Sequence, residues 1–217
     1  MVLGTWQGAS SYWFLAGLKT GVRLGGIVTQ TSTTTTPSLP PAQRFPKLAE
    51  VIDYLDTHGE RAKLDVLARL LGKVQVTRQD LESVLIFGTH GYRRNRISCS
   101  PWYELLALTW RSGHCTPIHD HKGSSCAFRV VEGTGTEVRY TLTPSGLVCP
   151  AATNQMAPGY VCAAQDADIH QVLNMQAPGT DLITLHIYSP PIKNMNTYQF
   201  ACSPGADTDP QAGDQHC

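Results

Sequence analysis

The apolar positions between residues 45 and 85 repeat with the period of an α-helix. One group follows the i, i+3, i+4, i+7 spacing of a single helix face: Leu48, Val51, Ile52 and Leu55. A second group predicts another helix, with Gly72 as its expected stop: Leu64, Val66, Leu67, Leu70 and Leu71. Residues 76–85 predict a third, short helix. We therefore expect a helical segment at the start of the folded region, near Phe45.

After Tyr92 the pattern changes to short apolar runs that are separated by Gly, Pro, Asn and Asp. Six runs predict strands: 103–110, 125–133, 136–143, 159–164, 170–175 and 182–189. So many short strands in one stretch of chain are typical of a β-sandwich or a small barrel. The predicted fold class is mainly β, a small barrel behind an N-terminal helical cap.

The two ends of the chain lack these patterns. Residues 29–43 are rich in Thr, Pro and Ser and cannot build a core. We predict that residues 1–43 are a disordered extension or linker, 44–200 the folded domain, and 201–217 a flexible tail; a start codon assigned too far upstream is the alternative. The N-terminal apolar run has no basic residue before it and is shorter than the ~20 apolar residues of a membrane span. We therefore expect neither a signal peptide nor a membrane anchor.

Charge and cysteine usage exclude several classes of protein. The 17 Lys and Arg residues balance the 17 Asp and Glu residues, which argues against nucleic acid or a charged membrane as a partner. The 7 cysteines are an odd number without a CxxC pair, unlike a zinc ribbon or a fully paired disulfide framework. Free thiols suit a reducing cytosol. We therefore expect a cytoplasmic protein. We also expect a monomer, although the sequence does not fix the oligomeric state.

Three histidines form a candidate metal site. His119 and His121 are two residues apart, so in an extended segment both imidazoles lie on one face while Asp120 points away. His170 follows an Asp-rich loop, opens a predicted strand and is the best candidate for a third ligand. Neutral imidazoles suit iron, zinc, copper or nickel, and three ligands leave positions open for other molecules. The alternative for an isolated His-x-His pair is a coincidence in a surface loop.

The spacing around these histidines resembles the two conserved motifs of the cupin superfamily. Five residues separate Gly113 from His119, four separate His121 from Cys126, and six separate Cys126 from Gly133; downstream, three residues separate His170 from Asn174. Cupins usually carry a glutamate ligand where Cys126 stands. A cupin that keeps three histidines and has cysteine there resembles the cysteine dioxygenases.

The resemblance covers roughly residues 47–192 and includes GYRRN at 91–95, IHDH at 118–121, IHQVLN at 169–174 and LHIYSPP at 185–191. It implies a cupin-type, jelly-roll-like β-barrel whose three histidines hold Fe(II). It also implies that a small thiol and O₂ are the substrates, with L-cysteine oxidised to cysteine sulfinic acid. The alternatives are 3-mercaptopropionate or another thiol acid as substrate, a zinc or nickel cupin with hydrolytic or isomerase activity, and a catalytically silent metal-binding cupin.

In the strand 182–189, Thr184, His186 and Tyr188 share one face. Such alternation is also typical of a half-exposed strand with its polar face in water. The resemblance instead implies that Tyr188 is the active-site tyrosine, oriented by His186 and by the hydroxyl of Thr184, where the family often has serine. It further implies a thioether between Cys126 and the Tyr188 ring, for which an ordinary buried thiol is the alternative, and a cis peptide bond before Pro190.

The same resemblance implies a substrate-binding pair. Arg94 matches the arginine that holds the substrate carboxylate, and a guanidinium fork suits such paired, charge-assisted hydrogen bonds. Tyr92 is expected beside the same carboxylate. Relatives that act on 3-mercaptopropionate carry glutamine at the position of Arg94, so arginine favours an amino-acid thiol.

Overall fold

The structure, a computed structural model, describes residues 39–193 and 195–201. Our predictions for residues 1–38 and for the tail from 202 onward lie outside the described residues. The first described helix covers Pro41–Arg44 and so begins inside the segment that we predicted as an extension.

Short helices precede the sheet, as the apolar period predicts. They are α1 (Pro41–Arg44), a 3-10 turn (Pro46–Leu48), α2 (Ala49–Asp56), α3 (Leu64–Lys73) and α4 (Arg78–Leu81). Gly72 was wrongly predicted to stop the second helix, since α3 continues through it and ends where Val74 becomes extended. The third helix is a single turn, which starts with a capping box between Thr77 and Asp80. No described helix is long and apolar enough to cross a membrane.

Seven strands follow: β1 (Arg93–Ser100), β2 (Tyr103–Trp110), β3 (His119–Glu132), β4 (Gly135–Leu142), β5 (Val148–Met156), β6 (Val161–Leu173) and β7 (Leu182–Ser189). Our prediction missed β1 and β5. Most side chains of β5 are exposed, so it lacks the apolar alternation on which the prediction relied. The predicted strands 159–164 and 170–175 are two parts of β6. Asp166 interrupts this strand with a positive φ of 55°, which explains the loop-like sequence between them.

The strands form one antiparallel sheet in the order β1-β2-β7-β3-β6-β4-β5. The last strand of the chain, β7, thus lies between β2 and β3. The long strand β3 pairs with β7 on one side and with β6 on the other. The fold is mainly β, a cupin-type barrel preceded by helices, as predicted.

The two faces of β7 enter different cores. Ile183, Leu185 and Ile187 pack in one apolar cluster with α2 and α3, so the helices cover the outer face of the sheet. On the inner face, Tyr188 packs with Phe128 and other residues of a second cluster. Every residue of β7 is buried. The half-exposed strand is therefore excluded, and the polar side chains of β7 lie inside the barrel. The Ser189–Pro190 peptide at its end is cis.

Candidate active site

The three predicted metal ligands meet inside the barrel. His119 and His121 come from the start of β3, and His170 lies directly across from His119 on β6. All three are buried, and one ring nitrogen of each lies within 4.8 Å of those of the other two. The sequence therefore correctly predicted that these histidines come together.

Hydrogen bonds orient two of the three imidazoles. His119 Nδ1 lies 2.9 Å from the carbonyl oxygen of Pro117, and His170 Nδ1 lies 2.9 Å from Glu137 Oε1. Because both partners are acceptors, each ring carries its proton on Nδ1 and keeps a lone pair on Nε2. His170 Nε2 and His121 Nδ1 are buried without a hydrogen-bond partner in the part of the chain that the structure describes. Such unpaired nitrogens, converging in one place, fit a metal ion.

Burial favours the neutral form of two of these histidines. Burial, reinforced by the neighbouring His170, lowers the pKa of His119 to about 4 and that of His121 to about 3. Both rings therefore have a free lone pair near neutral pH.

Glu137 stands behind His170 and is fully buried on β4. Burial alone would raise the pKa of this carboxyl, but the hydrogen bond with His170 and the neighbouring charge of Arg139 lower it to about 2. Asn154 Nδ2 also donates to Glu137 Oε2, at 3.3 Å. A carboxylate that is fixed in this way fixes the tautomer and the orientation of the imidazole it contacts.

The polar residues of β7 form a hydrogen-bonded relay that begins at Trp110. Trp110 Nε1 donates to Thr184 Oγ1 at 2.9 Å, Thr184 Oγ1 lies 2.9 Å from His186 Nε2, and His186 Nδ1 lies 3.2 Å from Tyr188 Oη. An indole can only donate, so the Thr184 hydroxyl accepts from Trp110 and still has its own proton. Donation of that proton to His186 Nε2 leaves the imidazole proton on Nδ1, facing the Tyr188 oxygen. Burial lowers the pKa of His186, which agrees with a neutral ring.

Cys126 and Tyr188 are direct neighbours across β3 and β7, and both are buried. Burial raises the pKa of the Cys126 thiol, and it raises that of the Tyr188 phenol as well. Both groups are thus protonated near neutral pH. Arg94 covers the aromatic ring of Tyr188, with its Cζ 5.2 Å from the ring centre. The predicted arginine, cysteine and tyrosine therefore share one region of the barrel.

Arg94 is held by a carboxylate that the sequence did not point to. Its Nη2 donates to Glu104 Oε2 at 2.7 Å, and Arg96 Nε donates to the other oxygen, Oε1, at 3.2 Å. Glu104 is nearly buried and thus fixes one edge of the Arg94 guanidinium. Tyr92 stacks on Trp110, with the ring centres 4.6 Å apart.

One cavity connects these groups. The predicted site residues that line it are Tyr92, Arg94, His119, His121, Cys126, His170, His186 and Tyr188. Thr184 stands behind His186 and contacts it by the relay. The cavity is also lined by residues that our sequence analysis did not single out as site residues: Leu108, Trp110, Thr116, Val172, Ile192 and Met195. Trp110 could have been suspected, since it ends the strand before the histidine motif; the others carry no local signal.

Comparisons with known proteins agree with this geometry. The family described as "Cysteine dioxygenase type I" matches residues 38–201. The cysteine dioxygenase type 1 of Danio rerio is 24% identical over 145 residues, which are 64% of this chain and 72% of that protein. The Homo sapiens protein of the same name is 24% identical over 116 residues, 52% of this chain and 58% of that protein, so the chain spans little more than half of its length.

Among solved structures, a Klebsiella pneumoniae protein with a double-stranded β-helix domain is 12% identical, with a TM-score of 0.44 over 55% of this chain and 88% of that one. The family match, in contrast, extends over most of the chain and contains every residue of the site. The chain belongs to the cysteine dioxygenase type I family.

Proposed function

We propose that this protein is a non-haem iron thiol dioxygenase that oxidises L-cysteine to cysteine sulfinic acid with O₂. The observation that carries the proposal is one cavity in which three buried histidines face an arginine and a buried tyrosine. A binding module would need the histidines alone. The family membership supports a thiol dioxygenase as the general activity.

His119, His121 and His170 would hold the iron. When bound, it would supply the redox chemistry by which O₂ oxidises sulfur. The residues around it position the reactants. Three imidazole ligands would leave coordination positions open, and none of the three brings a negative charge.

Arg94 would bind the substrate carboxylate. It lines the cavity, and Glu104 holds one edge of its guanidinium through Nη2 while other N–H donors stay available for a carboxylate. Glu104 binds Arg94 through one carboxylate oxygen and Arg96 through the other. Arg94, Arg96 and Glu104 together therefore carry one net positive charge. A single carboxylate would neutralise that charge. This matches the acid group of an amino-acid thiol.

Tyr188 would present its hydroxyl proton to the reacting molecules. Since the relay from Trp110 makes His186 a donor to the Tyr188 oxygen, the phenol proton is free to point into the cavity. Cys126 would form a thioether with the neighbouring Tyr188 ring. That bond would fix the phenol and remove a thiol that could compete with the substrate.

A thiol-dependent O₂-uptake assay tests this function. The protein is loaded with Fe(II) without oxygen, and uptake is then measured with L-cysteine, with 3-mercaptopropionate and without a thiol. We expect the fastest uptake with L-cysteine and formation of its sulfinic acid, identified by mass spectrometry. A preference for 3-mercaptopropionate would assign the thiol-acid alternative. Iron-loaded protein without thiol-dependent uptake would contradict the enzyme and indicate a silent metal-binding cupin.

A further inference from the structure

A segment close to the C-terminus crosses the metal-binding motif. We name residues 195–200 the C-terminal strap. Tyr198 N donates to the carbonyl oxygen of Ile118 at 3.0 Å, and Asp120 N donates to that of Asn196 at 3.2 Å. These backbone bonds bracket His119, which pairs with Thr197. The strap therefore runs alongside the strand segment that supplies two of the three histidines.

Asp120 attaches the strap from within this motif. Its side chain is 3% exposed. Oδ2 accepts hydrogen bonds from Asn196 Nδ2 at 2.8 Å and from Tyr198 Oη at 2.7 Å. Oδ1 accepts from the backbone nitrogens of Asn196 at 3.2 Å and Lys122 at 3.3 Å. Bonds to an ionised carboxylate are stronger than bonds between neutral groups, so Asp120 anchors the strap through charge-assisted hydrogen bonds.

The far end of the strap is held on the sheet. Val148 N donates to the carbonyl oxygen of Gln199, and Ala201 N donates to that of Val148, both at 2.9 Å. Phe200 contacts the ring of Tyr140, with the ring centres 5.4 Å apart. At its near end, Met195 lines the cavity together with the histidines. The strap thus connects a fixed position on β5 to the wall of the cavity.

We propose that Met195 limits the size of the thiol that the site accepts, and that Asp120 is a positioning residue that keeps Met195 in the wall. The inference rests on the proposed function. Methionine is unbranched and fills irregular space, so its position depends on the backbone that carries it. That backbone is attached to Asp120. Pockets that exclude one extra methylene discriminate by roughly 10- to 200-fold.

Substitutions in the strap test this without removing a metal ligand. For Met195→Ala we expect kcat/KM for L-penicillamine, or for L-homocysteine, to rise about tenfold or more relative to L-cysteine. Tyr198→Phe removes one donor to Asp120. It should raise the ratio of kcat/KM for the larger thiol to kcat/KM for L-cysteine by a smaller factor. Iron content by elemental analysis should stay at the level of the parent protein. Met175→Ala is the matched control, because Met175 is 69% exposed, and it should leave the ratio unchanged.

Hydrogen–deuterium exchange tests the anchor independently of turnover. In Tyr198→Phe, the amides of Asn196 and Tyr198 should exchange faster than in the parent protein. Unchanged exchange there would overturn the role of Asp120, and an unchanged thiol ratio in Met195→Ala would overturn the role of Met195. Failure of the proposed function looks different, because the parent protein would then show no cysteine-dependent O₂ uptake. In that case calorimetry of the iron-loaded protein without oxygen measures the affinity for the larger thiol relative to that for L-cysteine, in the parent protein and in Met195→Ala.

Discussion

Glu137 Oε1 and His170 Nδ1 lie 2.9 Å apart in the interior of the barrel, and both residues are almost completely buried. The two come from neighbouring strands, since β4 pairs with β6. The contact directs the free nitrogen of His170 towards the other two histidines. A carboxylate behind a ligand imidazole also raises its basicity. Glu137 therefore belongs to the candidate metal site, although it does not line the cavity.

This contact predicts that Glu137 controls metal affinity. We expect Glu137→Ala to weaken iron binding by about 10- to 100-fold, the usual effect of losing such a partner. Glu137→Gln should have a smaller effect, because the amide oxygen can still accept the bond. Competition with a chelator measures the affinity. Glu132→Ala, which removes an exposed carboxylate bonded to Arg78, is the control. Parent-like affinity in Glu137→Ala would contradict this role.

Arg94 should control recognition of the substrate carboxylate. We expect Arg94→Ala to raise KM for L-cysteine on the order of 30- to 150-fold, equivalent to about 2–3 kcal/mol. Turnover of cysteamine, which lacks a carboxylate, should hardly change. Steady-state kinetics with both thiols give the comparison, and Arg93→Ala, at an exposed neighbour, serves as the control. An unaltered KM for L-cysteine would show that the acid group binds elsewhere.

The relay predicts a contrast between two substitutions of Thr184. Thr184→Ser keeps the hydroxyl that links Trp110 to His186, so we expect kcat within a fewfold of the parent protein. Thr184→Val has nearly the same shape without the hydroxyl. It should lower kcat by about 100-fold, the smaller end of the usual effect of a positioned proton donor, and leave KM nearly unchanged. Equal kcat values for the two variants would rule out the relay.

The neighbouring positions of Cys126 and Tyr188 predict a crosslink after aerobic turnover. The thioether would form with loss of one hydrogen from the thiol and one from the ring, with O₂ as the oxidant. Intact-mass analysis under reducing conditions should therefore find a lighter population, and tandem mass spectrometry should join the two peptides. Cys126→Ala should lack this population and turn over more slowly without losing activity. A single unmodified mass after many turnovers would refute the crosslink.

The lowered pKa values of His119 and His121 predict how the stability of the metal-free protein depends on pH. In the unfolded chain both rings titrate near 6.5, whereas in the fold they do so at about 4 and about 3. Below pH 6.5 the unfolded state therefore binds more protons. As the pH decreases from 6.5, the free energy of unfolding should therefore fall by about 1.4 kcal/mol per pH unit for each histidine, until the pH reaches the pKa of that histidine in the folded protein.

Urea unfolding of the metal-free protein between pH 7 and pH 4 measures this dependence. The double substitution of His119 and His121 by Gln should flatten the curve, because glutamine does not titrate. A parent protein whose stability is constant over this interval would contradict the lowered pKa values.

The residues that could be predicted are those whose signal is local. His119 and His121 are two residues apart, and the alternation of β7 places Thr184, His186 and Tyr188 on one face whatever the neighbouring strands are. The local signal at His170 is weaker. This histidine was chosen because it follows an Asp-rich loop and opens a predicted strand, and the resemblance then strengthened the choice. The structure places it across from His119.

The residues that were missed depend on strand register. Glu137 occupies an ordinary position in a strand, and only the pairing of β4 with β6 brings it to His170. Trp110 reaches Thr184 because β2 and β7 are neighbours, which their separation in the chain does not indicate. Met195 lies in a segment without a secondary-structure period, and its neighbour Asn196 is hydrogen-bonded to Asp120. Such contacts are properties of the assembled sheet.

The position of β7 between β2 and β3 has a consequence for biosynthesis. A nascent chain that ends before Leu182 already contains all three histidines, on β3 and β6, but it lacks the strand that joins them to β1 and β2. Its sheet would consist of two separate halves, with Arg94 in one and the histidines in the other. Only the arrival of the last strand unites them and adds Tyr188. During translation, the capacity to hold a metal would therefore precede the capacity to use it.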